Sequence, residues 1–318
     1  MLAFHPLTVA DREAVQAVTL HAMRRNCNYT FANLVGWQFW FQTEVCQLDD
    51  VVVLRYNWNG RQAYMICSAT PPPRQMIEML FEDSGGQLTI LGLEDSQVRA
   101  LEMLDLRFNV EVEARRNQYD YIYRRADLAA LQGGLLKAKR NHVNRFRTEH
   151  PDFEYRPLTP ELFDQCRQLT ALWHEEKEIY RIENHEEGGR VEDETIDAER
   201  RVMETVFEHW EELGMVGGAV FIKESSGEER ESGEATMRMV AFTYGSAVTS
   251  DTLDVCVEKA DRNVEGAFAI INQQFAEHLP DKYIYLNREE DMGIAGLCKA
   301  KLSYHPEILL TYNEVHIT

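Results

Sequence analysis

Five consecutive polar residues near the C-terminal end of the chain have the composition of a reactive or ligand-binding site. Residues 287–291 read Asn-Arg-Glu-Glu-Asp, and they directly follow a short β-rich run over 283–286. Carboxylates can accept a proton from a reacting group, and amide and guanidinium groups can orient a polar substrate. A buried strand does not need so many polar groups at its end, whereas strand ends in open α/β sheets commonly carry ligand sites. We therefore predict that chemistry takes place at this segment.

Glu258 is a further candidate, on a strand predicted over residues 253–259. Apolar and polar side chains alternate in that segment, which is the pattern of a strand with one buried face. Asp254, Cys256 and Glu258 are expected to share the polar face. Because the strand over 283–286 is predicted to lie beside this one, we expect Glu258 close to the polar run at 287–291.

The composition indicates a soluble globular protein that is large enough for two domains. The chain has 318 residues, of which 44% are hydrophobic and 27% charged, so each half can bury a core of its own. No apolar run approaches the ~20 residues that cross a bilayer, and the N-terminus lacks the pattern of a secretory signal. We predict a cytoplasmic protein without membrane insertion, and the oligomeric state is left open.

Cysteine and histidine spacing gives no indication of a disulfide framework or of a metal site. The six cysteines are scattered without a CxxC pair, and the ten histidines form no HExxH motif. Reduced, buried thiols are therefore expected. No structural metal is predicted.

The formal net charge of −20 argues against a chain whose whole surface binds nucleic acid, because its field repels a polyanion. One local exception is a basic segment that contains Lys137, Lys139, Arg140 and Arg145. This segment is either a phosphate contact for tRNA or CoA, or a linker helix that docks on the acidic body. The charge of the chain favours the second interpretation.

Short strands and helices alternate along the predicted chain, and one junction between them occurs twice. A Pro-Leu-Thr segment precedes a predicted helix at 6–8 and again at 157–159. We interpret the two positions as the same point in two copies of one α/β fold. The predicted domains are residues 1–150, which end in the basic helix, and residues 151–318, which carry the active site. Each is expected to be a mixed, largely antiparallel twisted sheet flanked by helices.

The second half supports three detailed predictions. Residues 175–199 are strongly acidic and are expected to form a solvated loop. Residues 225–233 are expected to form the tip of a long hairpin. A helix is predicted after the strand over 253–259, with Asn263 as its N-cap and with Gly266 in its first turn, where another backbone or a ligand could approach closely.

The order of predicted elements in the second half resembles the GNAT (N-acetyltransferase) fold. A strand and a helix pair are followed by three antiparallel strands, a helix, a strand and a further helix. In that fold the strand before the central helix splays from its neighbour, and the helix N-terminus receives the pyrophosphate of an acyl-CoA. The resemblance puts the strand over 253–259 and the helix from Asn263 in these two positions.

Several sequence blocks look like bacterial proteins related to the C-terminal domain of phosphatidylglycerol lysyltransferases, which are built from tandem GNAT-like units. The blocks span nearly the whole chain. They are residues 29–34 with Trp37, residues 121–123 with 139–142 and Phe146, residues 258–260 with Gly266, and residues 287–291 with Gly293, Gly296, Leu297, Lys299, Lys301, Ser303 and Tyr304.

The resemblance implies a transferase that moves an acyl or aminoacyl group to a small-molecule or peptide amine. Acyl-CoA is the expected donor, ahead of aminoacyl-tRNA. Such a transfer needs a base for the amine proton and groups that hold the donor. The predicted roles are catalysis for Glu258, Asp291, Glu289 and Asn287, substrate binding for Arg288 and Tyr304, and donor binding for Lys259, Asn263, Gly266, Ala267, Lys299 and Lys301.

Two departures from the family pattern support an alternative, a catalytically silent module that binds a CoA-like ligand. The glycine-rich turn before the central helix is reduced to Gly266-Ala267. A general-acid tyrosine is common in the following helix, and Cys298 or Lys299 stands near its place here. A further interpretation is that the acids only form an ion-pair network with Lys259, Arg288, Lys299 and Lys301.

Overall fold

The protein is described by a computed structural model that covers residues 2–183, 190–224 and 236–318. Its strands are β1 His5–Pro6, β2 Glu44–Leu48, β3 Val51–Trp58, β4 Arg61–Cys67, β5 Leu88–Leu93, β6 Val110–Ala114, β7 Asp120–Arg124, β8 Glu154–Pro157, β9 Val216–Lys223, β10 Met237–Ala247, β11 Thr252–Ala260, β12 Tyr285–Asn287, β13 Ile308–Leu310 and β14 Asn313–Ile317. Its helices are α1 Arg12–Thr19, α2 Phe31–Gly36, α3 Gln38–Phe41, α4 Arg74–Asp83, α5 Asp95–Glu102, α6 Arg125–Ala130, α7 Lys137–Glu149, α8 Phe163–Glu183, α9 Arg190–Glu208, α10 Ala267–His278 and α11 Ala295–Leu302. None of the helices in these ranges is both long and apolar enough to cross a membrane.

The strands form two sheets whose orders correspond position by position. In the described part of the chain, one sheet has the order β1-β2-β3-β4-β5-β14-β6, and the other has the order β8-β9-β10-β11-β12-β7-β13. Neighbouring strands are antiparallel except at β4 with β5 and at β11 with β12. Each sheet begins with a strand that ends at the proline of a Pro-Leu-Thr segment. The predicted fold class, with two largely antiparallel mixed sheets flanked by helices, is confirmed.

The two halves of the chain exchange one strand. β7 comes from the first half and lies between β12 and β13, while β14 from the C-terminal end lies between β5 and β6. Each exchanged strand is hydrogen-bonded on both sides, so neither sheet is complete without a strand from the other half. The domain boundary at residue 150 stays a prediction. Each sheet contains one strand from the other side of that residue.

One buried apolar cluster joins the two halves. It combines Phe31 and Leu34 of α2 with Phe207 of α9 and with Phe242 and Tyr244 of β10. Burying aromatic and aliphatic side chains of this size stabilises the contact by about 2 kcal/mol for each side chain. The contact therefore holds α2 against one face of the second sheet.

Strands β3 and β4 of the first half form a β-hairpin with an Asn-Gly turn. β3 and β4 pair from Val52 opposite Cys67 to Trp58 opposite Arg61. The turn residues Asn59 and Gly60 have φ of 52° and 75°. Both values lie in the left-handed region that a tight Asn-Gly hairpin turn requires.

The prediction of a loop at 175–199 is wrong, because most of this acidic segment is helical. α8 continues to Glu183 and α9 begins at Arg190, and the intervening residues 184–189 lie outside the described residues. Glutamate has a high helix propensity, so an acidic run can extend a helix. The hairpin tip predicted at 225–233 also lies outside the described residues.

The helix after β11 begins later than predicted. α10 starts at Ala267, and Gly266 is its N-cap with φ of 82°. The backbone N–H of Asn263 instead donates to Oδ1 of Asp261, 2.9 Å away. Asp261 thus closes a local turn ahead of the helix, and the prediction of Asn263 as the N-cap is wrong.

A bulge in β11 changes the face on which Glu258 lies. The pairing of β10 with β11 shifts between Tyr244, opposite Val257, and Ser246, opposite Asp254. Asp254 accepts hydrogen bonds from residues of α2, whereas Glu258 accepts one from Asn272 of α10. Since a bulge inserts an extra residue and interrupts the alternation, the prediction that Asp254 and Glu258 share a face is wrong.

α7 covers the N-terminal end of α10. A Cβ atom on Gly266 would lie 2.7 Å from the carbonyl oxygen of His142 and 3.0 Å from Cβ of Phe146, both on α7. The glycine thus allows another helix to approach the first turn, which is one of the two uses predicted for it. α7 therefore packs directly against the first turn of α10.

Replacing Gly266 with alanine should destabilise the protein more than the same change at Gly133. Both residues have left-handed backbone, with φ of 82° and 80°, but nothing lies within 4 Å of a Cβ atom at Gly133. We expect Gly133→Ala to cost about 1 kcal/mol for the backbone strain, and Gly266→Ala to cost at least ~1 kcal/mol more for the overlap with α7. Urea denaturation of the two variants measures the difference, and equal losses would show that α7 is not packed against this turn.

Candidate active site

Four carboxylates from distant parts of the chain converge beside α2. Asp120 begins β7, Asp254 lies in β11, and Glu289 and Glu290 follow β12. Together they form what is called here the carboxylate cluster. Cys27 and Cys256 lie beside it, and side chains from both halves of the sequence contribute to it.

Asp120 is held at the centre of a buried network. One of its carboxylate oxygens, Oδ2, accepts hydrogen bonds from the backbone N–H of Cys27 at 2.7 Å and from Nδ2 of Asn287 at 2.8 Å. The Cys27 thiol lies 3.3 Å from Oδ1 of Asp120 and 3.6 Å from Oε2 of Glu290. Asn287 also donates to the carbonyl oxygen of Arg25. The predicted catalytic residue Asn287 therefore positions an aspartate that the sequence analysis did not select.

Asp254 and Glu289 share a donor from α2. Asn33 donates from Nδ2 to Oδ2 of Asp254 at 3.0 Å and to Oε1 of Glu289 at 2.9 Å. The hydroxyl of Thr30 donates to the same oxygen of Asp254 at 2.7 Å. One amide group thus bridges an acid of β11 and an acid of the segment that follows β12.

Burial and mutual repulsion raise the pKa values of three of these acids, Asp120, Asp254 and Glu289. Burial, with a smaller contribution from the charge of Glu290, raises the pKa of Asp120 to about 7. Burial also raises the pKa of Asp254, helped by the charge of Asp120, and that of Glu289, helped by the charge of Asp254. Desolvation disfavours a charged carboxylate, and a neighbouring like charge disfavours it further. The cluster consequently favours the arrival of a positive charge.

Several buried polar atoms around the cluster have no hydrogen-bond partner among the residues that the structure describes. They are Oδ1 of Asp254, the Ser246 hydroxyl directly across the sheet from it, and the Tyr244 hydroxyl. The pKa of Tyr244 is raised by burial and by the nearby charges of Cys256 and Glu289. Unpaired buried polar atoms are uncommon in native proteins and each one calls for an explanation. A polar ligand that completes their hydrogen bonds would supply it.

The segment after β12 is fixed in an unusual backbone conformation. Glu289 has φ of 56°, in the left-handed region that costs a non-glycine residue about 1 kcal/mol. Its backbone N–H donates to Oδ1 of Asn287, and its carbonyl oxygen accepts from the N–H of Tyr121. Lys301 donates from Nζ to the carbonyl oxygens of Arg288 and Glu290. Strain held in this way is common at functional sites.

Asp291 belongs to a separate group at the end of the same segment. Its carboxylate accepts from the hydroxyl of Tyr121 at 2.5 Å and from Arg116 at 3.1 Å. The Tyr121 hydroxyl also lies 3.4 Å from Sγ of Cys298. Burial acts to raise the pKa of Asp291, but the hydrogen bonds from Tyr121 and Gly293 outweigh it and lower the pKa. Asp291 is thus a stable anion beside a phenol.

Glu258 and Arg288 form an ion pair on the α10 side of the sheet. Nη2 of Arg288 lies 2.8 Å from Oε1 of Glu258, and each side chain is only 13% exposed. Asn272 donates to the other carboxylate oxygen of Glu258. The Arg288 guanidinium lies 4.9 Å from the ring centre of Tyr304. Glu258 and Glu289 therefore lie in different environments, although the sequence analysis placed them together.

The residues predicted to bind the donor are not gathered at one place. Lys259 is ion-paired with Glu199, and Lys299 is exposed. Lys301 holds the segment 288–290 through its carbonyl oxygens. Gly266 and Ala267 lie at the turn that α7 covers, and Asn263 lies just before that turn. Their roles in binding stay predictions.

The four basic residues of α7 have different surroundings. Arg140 donates to the carbonyl oxygens of Leu131 and Gly133, and Arg145 is ion-paired with Glu149 and Glu265. Lys137 is exposed. Lys139 is half-buried, with Nζ 4.2 Å from the ring centre of Tyr304. Among these four side chains, Lys139 is the one that faces Arg288.

Several members of the site were not predicted from the sequence, although a local pattern marks some of them. Asn33 is polar within the otherwise apolar α2, and Asp254 was recognised on the polar side of its strand but not selected. Asp120 begins a strand of buried residues. A polar residue inside an apolar element indicates a buried hydrogen bond or a site. Cys27 carried no such signal.

Two groups of ligand atoms in the cluster lie within the mutual distances of a cation site. In each group the three ligand atoms lie within 4.8 Å of one another; the groups are Cys27, Asp120 and Glu290, and Asp254, Cys256 and Glu289. Carboxylates and thiols can coordinate a divalent metal, and carboxylates also bind an organic ammonium group. The prediction that no metal is bound stays a prediction.

Comparison with known proteins gives one family and a fold. The family profile described as "Phosphatidylglycerol lysyltransferase, C-terminal" matches residues 21–313. A conserved protein of unknown function from Bacteroides thetaiotaomicron VPI-5482 is 35% identical over 100% of both chains, with a TM-score of 0.87. No significant match is found among curated proteins.

Two further solved structures are more distant in sequence. The C-terminal domain (DUF2156) of a proposed lysylphosphatidylglycerol synthetase from Agrobacterium fabrum is 11% identical, with a TM-score of 0.57 over 96% of this chain and 92% of its own. At that identity the similarity concerns the fold alone. A tandem GNAT protein from the clavulanic acid biosynthesis pathway is 10% identical, with a TM-score of 0.48 over 99% of this chain and 98% of its own.

The raised pKa of Asp120 predicts that stability falls as the pH rises from the acidic range to neutral pH. The folded-state pKa of about 7 exceeds the ordinary value of 3.8, so the folded state holds a proton that the unfolded state releases between these values. The free energy of unfolding should therefore decrease from about pH 4 to pH 7, and Asp120→Asn should flatten that slope. Urea denaturation at pH 5.0 and 7.5 measures it, with the exposed Asp281→Asn as control. An unchanged slope in Asp120→Asn would contradict the assignment.

Proposed function

The chain belongs to the phosphatidylglycerol lysyltransferase C-terminal family, and from that premise we propose that it transfers an aminoacyl group from a charged tRNA to the amine of a cationic acceptor. The family and the fold support a transferase. The observation that carries the finer proposal is the buried carboxylate cluster, which has the charge and the hydrogen-bond acceptors to bind an ammonium group.

An ammonium group suits the cluster in charge and in hydrogen bonding. Lys301 is a cation whose charge acts on Glu289, but its Nζ is already engaged by two backbone carbonyl oxygens. An ammonium group brings one positive charge and three donors, and it could satisfy Oδ1 of Asp254 and the hydroxyls of Ser246 and Tyr244. Its charge would also offset the repulsion that raises the pKa of Asp254 and Glu289.

The same cluster supplies the base that an amine needs. An acceptor amine is protonated at neutral pH and must lose a proton before its nitrogen can attack a carbonyl carbon. A base is most effective when its pKa lies near the working pH, and the pKa of Asp120 is about 7. The deprotonated amine then attacks the ester carbonyl of the donor, an amide bond forms, and the ester bond to the ribose oxygen breaks with return of a proton to that oxygen.

The packing of α7 supports charged tRNA over acyl-CoA as the donor. The turn before α10, which the resemblance assigned to the pyrophosphate, is in contact with His142 and Phe146 of α7. A phosphate there would have to displace the helix, whose Val143 and Phe146 are buried. The description of the matching family as a lysyltransferase also supports a donor that carries an aminoacyl group.

The group formed by Tyr121, Asp291 and Arg116 supports an enzyme over the catalytically silent module. The Tyr121 hydroxyl lies 3.4 Å from Sγ of Cys298, which stands near the place where the resemblance expects a general-acid tyrosine. β7 thus brings a phenol to a helix that lacks one. Burial contributes most to raising the pKa of Tyr121, so the phenol keeps its proton and can donate it to a leaving oxygen.

A linear diamine should bind more tightly than the uncharged diol of the same length. We expect putrescine to raise the melting temperature, whereas butane-1,4-diol should not, because only the diamine carries positive charge into the cluster. Asp254→Asn should abolish most of the shift. Asp281→Asn should keep it, because Asp281 is an exposed carboxylate outside the cluster. Equal responses to the two ligands would exclude the cluster as an ammonium site.

Transfer itself is tested with two labelled donors. The protein is incubated with a panel of amines and either radiolabelled lysyl-tRNA or radiolabelled acetyl-CoA, and the label that appears in the amine fraction is counted. The proposal expects label from the tRNA, with Asp120→Asn reducing the rate by about 100-fold or more, the typical contribution of a positioned base. Label from acetyl-CoA alone would reject the donor, and amine binding without any transfer would identify a silent module.

A further inference from the structure

A second polar site lies on the opposite side of the segment at 288–290, beside the end of β12. β11 and β12 are paired in parallel from Thr252 opposite Tyr285 to Asp254 opposite Asn287. β12 ends at that pair while β11 continues to Ala260, and the side chains of Glu258 and Arg288 meet across the gap beyond it at 2.8 Å. This gap is a place where α/β sheets commonly bind ligands.

Two cations share one aromatic ring at this gap. The guanidinium of Arg288 lies 4.9 Å from the ring centre of Tyr304 and 5.6 Å from that of Tyr123. Nζ of Lys139, from α7, lies 4.2 Å from the ring centre of the same Tyr304. We call Lys139, Arg288, Glu258 and Tyr304 the cation cleft.

The cation cleft holds more positive than negative charge. Glu258 is the carboxylate that pairs with Arg288, and within the described part of the chain no carboxylate forms an ion pair with Lys139. Nη1 of Arg288 is buried and has no hydrogen-bond partner among the described residues. Burial, and to a lesser extent the charge of Arg288, lowers the pKa of Lys139. Two cations beside one ring, with a donor of Arg288 unused, favour the binding of an anion.

The helix that covers the turn at Gly266 is the helix that carries Lys139. α7 packs on that turn through His142 and Phe146, and Lys139 lies one turn earlier on the same helix. The packing of α7 covers the turn at Gly266, where the resemblance expects a pyrophosphate, and it also brings Lys139 towards Arg288. The chain as a whole is acidic, with a net charge of −20. The overall charge therefore does not account for a local positive site.

We propose that the cation cleft binds a phosphate group of the donor's carrier, through Lys139 and the unused Nη1 of Arg288. A guanidinium offers the planar donors that match phosphate oxygens, and a lysine adds charge. The carrier's identity rests on the proposed function, while the anion site rests on the geometry of these residues alone. Either a phosphodiester near the 3′ end of a tRNA or the phosphates of CoA would present this chemistry.

Binding of three probes to the full chain tests the site without any transfer reaction. The probes are inorganic phosphate, CoA, and a short RNA hairpin that ends in CCA, and affinity is measured by calorimetry at several salt concentrations. We expect Lys139→Gln to weaken binding of the carrier by about 10-fold and to reduce its salt slope by about 1. Lys137→Gln, an exposed lysine two residues earlier, is the matched control and should leave both unchanged.

The variants separate the possible results. The carrier whose affinity falls in Lys139→Gln but not in Lys137→Gln is the source of the phosphate. Arg288→Lys, which keeps the charge but loses the planar donors, should weaken the same probe. Wild-type protein that binds none of the probes, or Lys139→Gln that binds as tightly as wild type, would overturn the proposal. The putrescine response of the carboxylate cluster is measured on the same variants, so failure of the cation cleft is distinguished from failure of the amine site.

Discussion

The exchange of β7 and β14 between the two sheets is the constraint on which the candidate site depends. β7 pairs with β12 on one side and with β13 on the other. This pairing brings Asp120 to Asn287 and Tyr121 to Asp291. Withdrawing β7 would leave the backbone groups of two strands unpaired in a buried region, at a cost of ~1–3 kcal/mol for each unsatisfied group. The same pairing that completes the sheet therefore also assembles the polar groups.

The segment at 288–290 separates two regions of opposite charge. On the α2 side lie buried acids whose pKa values are raised, and on the α10 side lie Arg288 and Lys139 with one carboxylate. Each region is less stable alone than a neutral packing would be, because like charges are held together with limited solvent. A fold that keeps both must hold them by contacts elsewhere, and the apolar cluster of α2, α9 and β10 is one such contact. An acceptor amine in the first region and a carrier phosphate in the second would relieve both charges.

Predictions from the local sequence were correct where neighbouring residues decide the conformation. Asn59-Gly60 adopts the left-handed turn that its residue types favour, and the polar run at 287–291 does supply Asn287 and Glu289 to the site. The predictions were wrong where a distant contact decides. The alternation in β11 predicted that Glu258 would join Asp254, but the bulge opposite Tyr244 and Ser246 puts it beside Asn272. Asn263 has the residue type of an N-cap, yet α10 begins only at the glycine that α7 approaches.

The sequence by itself determined the class of fold, the repeat of one strand-to-helix junction, and the segment at which the polar groups accumulate. These depend on residue type and short spacing, which act within a few residues. Only the tertiary structure decided which acids meet. Asn33 reaches Glu289 across 256 positions, and Cys27 reaches Asp120 across 93. Such pairs follow from the strand exchange and from the contact of α2 with the second sheet, and no spacing in the chain encodes them, because they are set by the pairing of whole strands and the burial of whole faces.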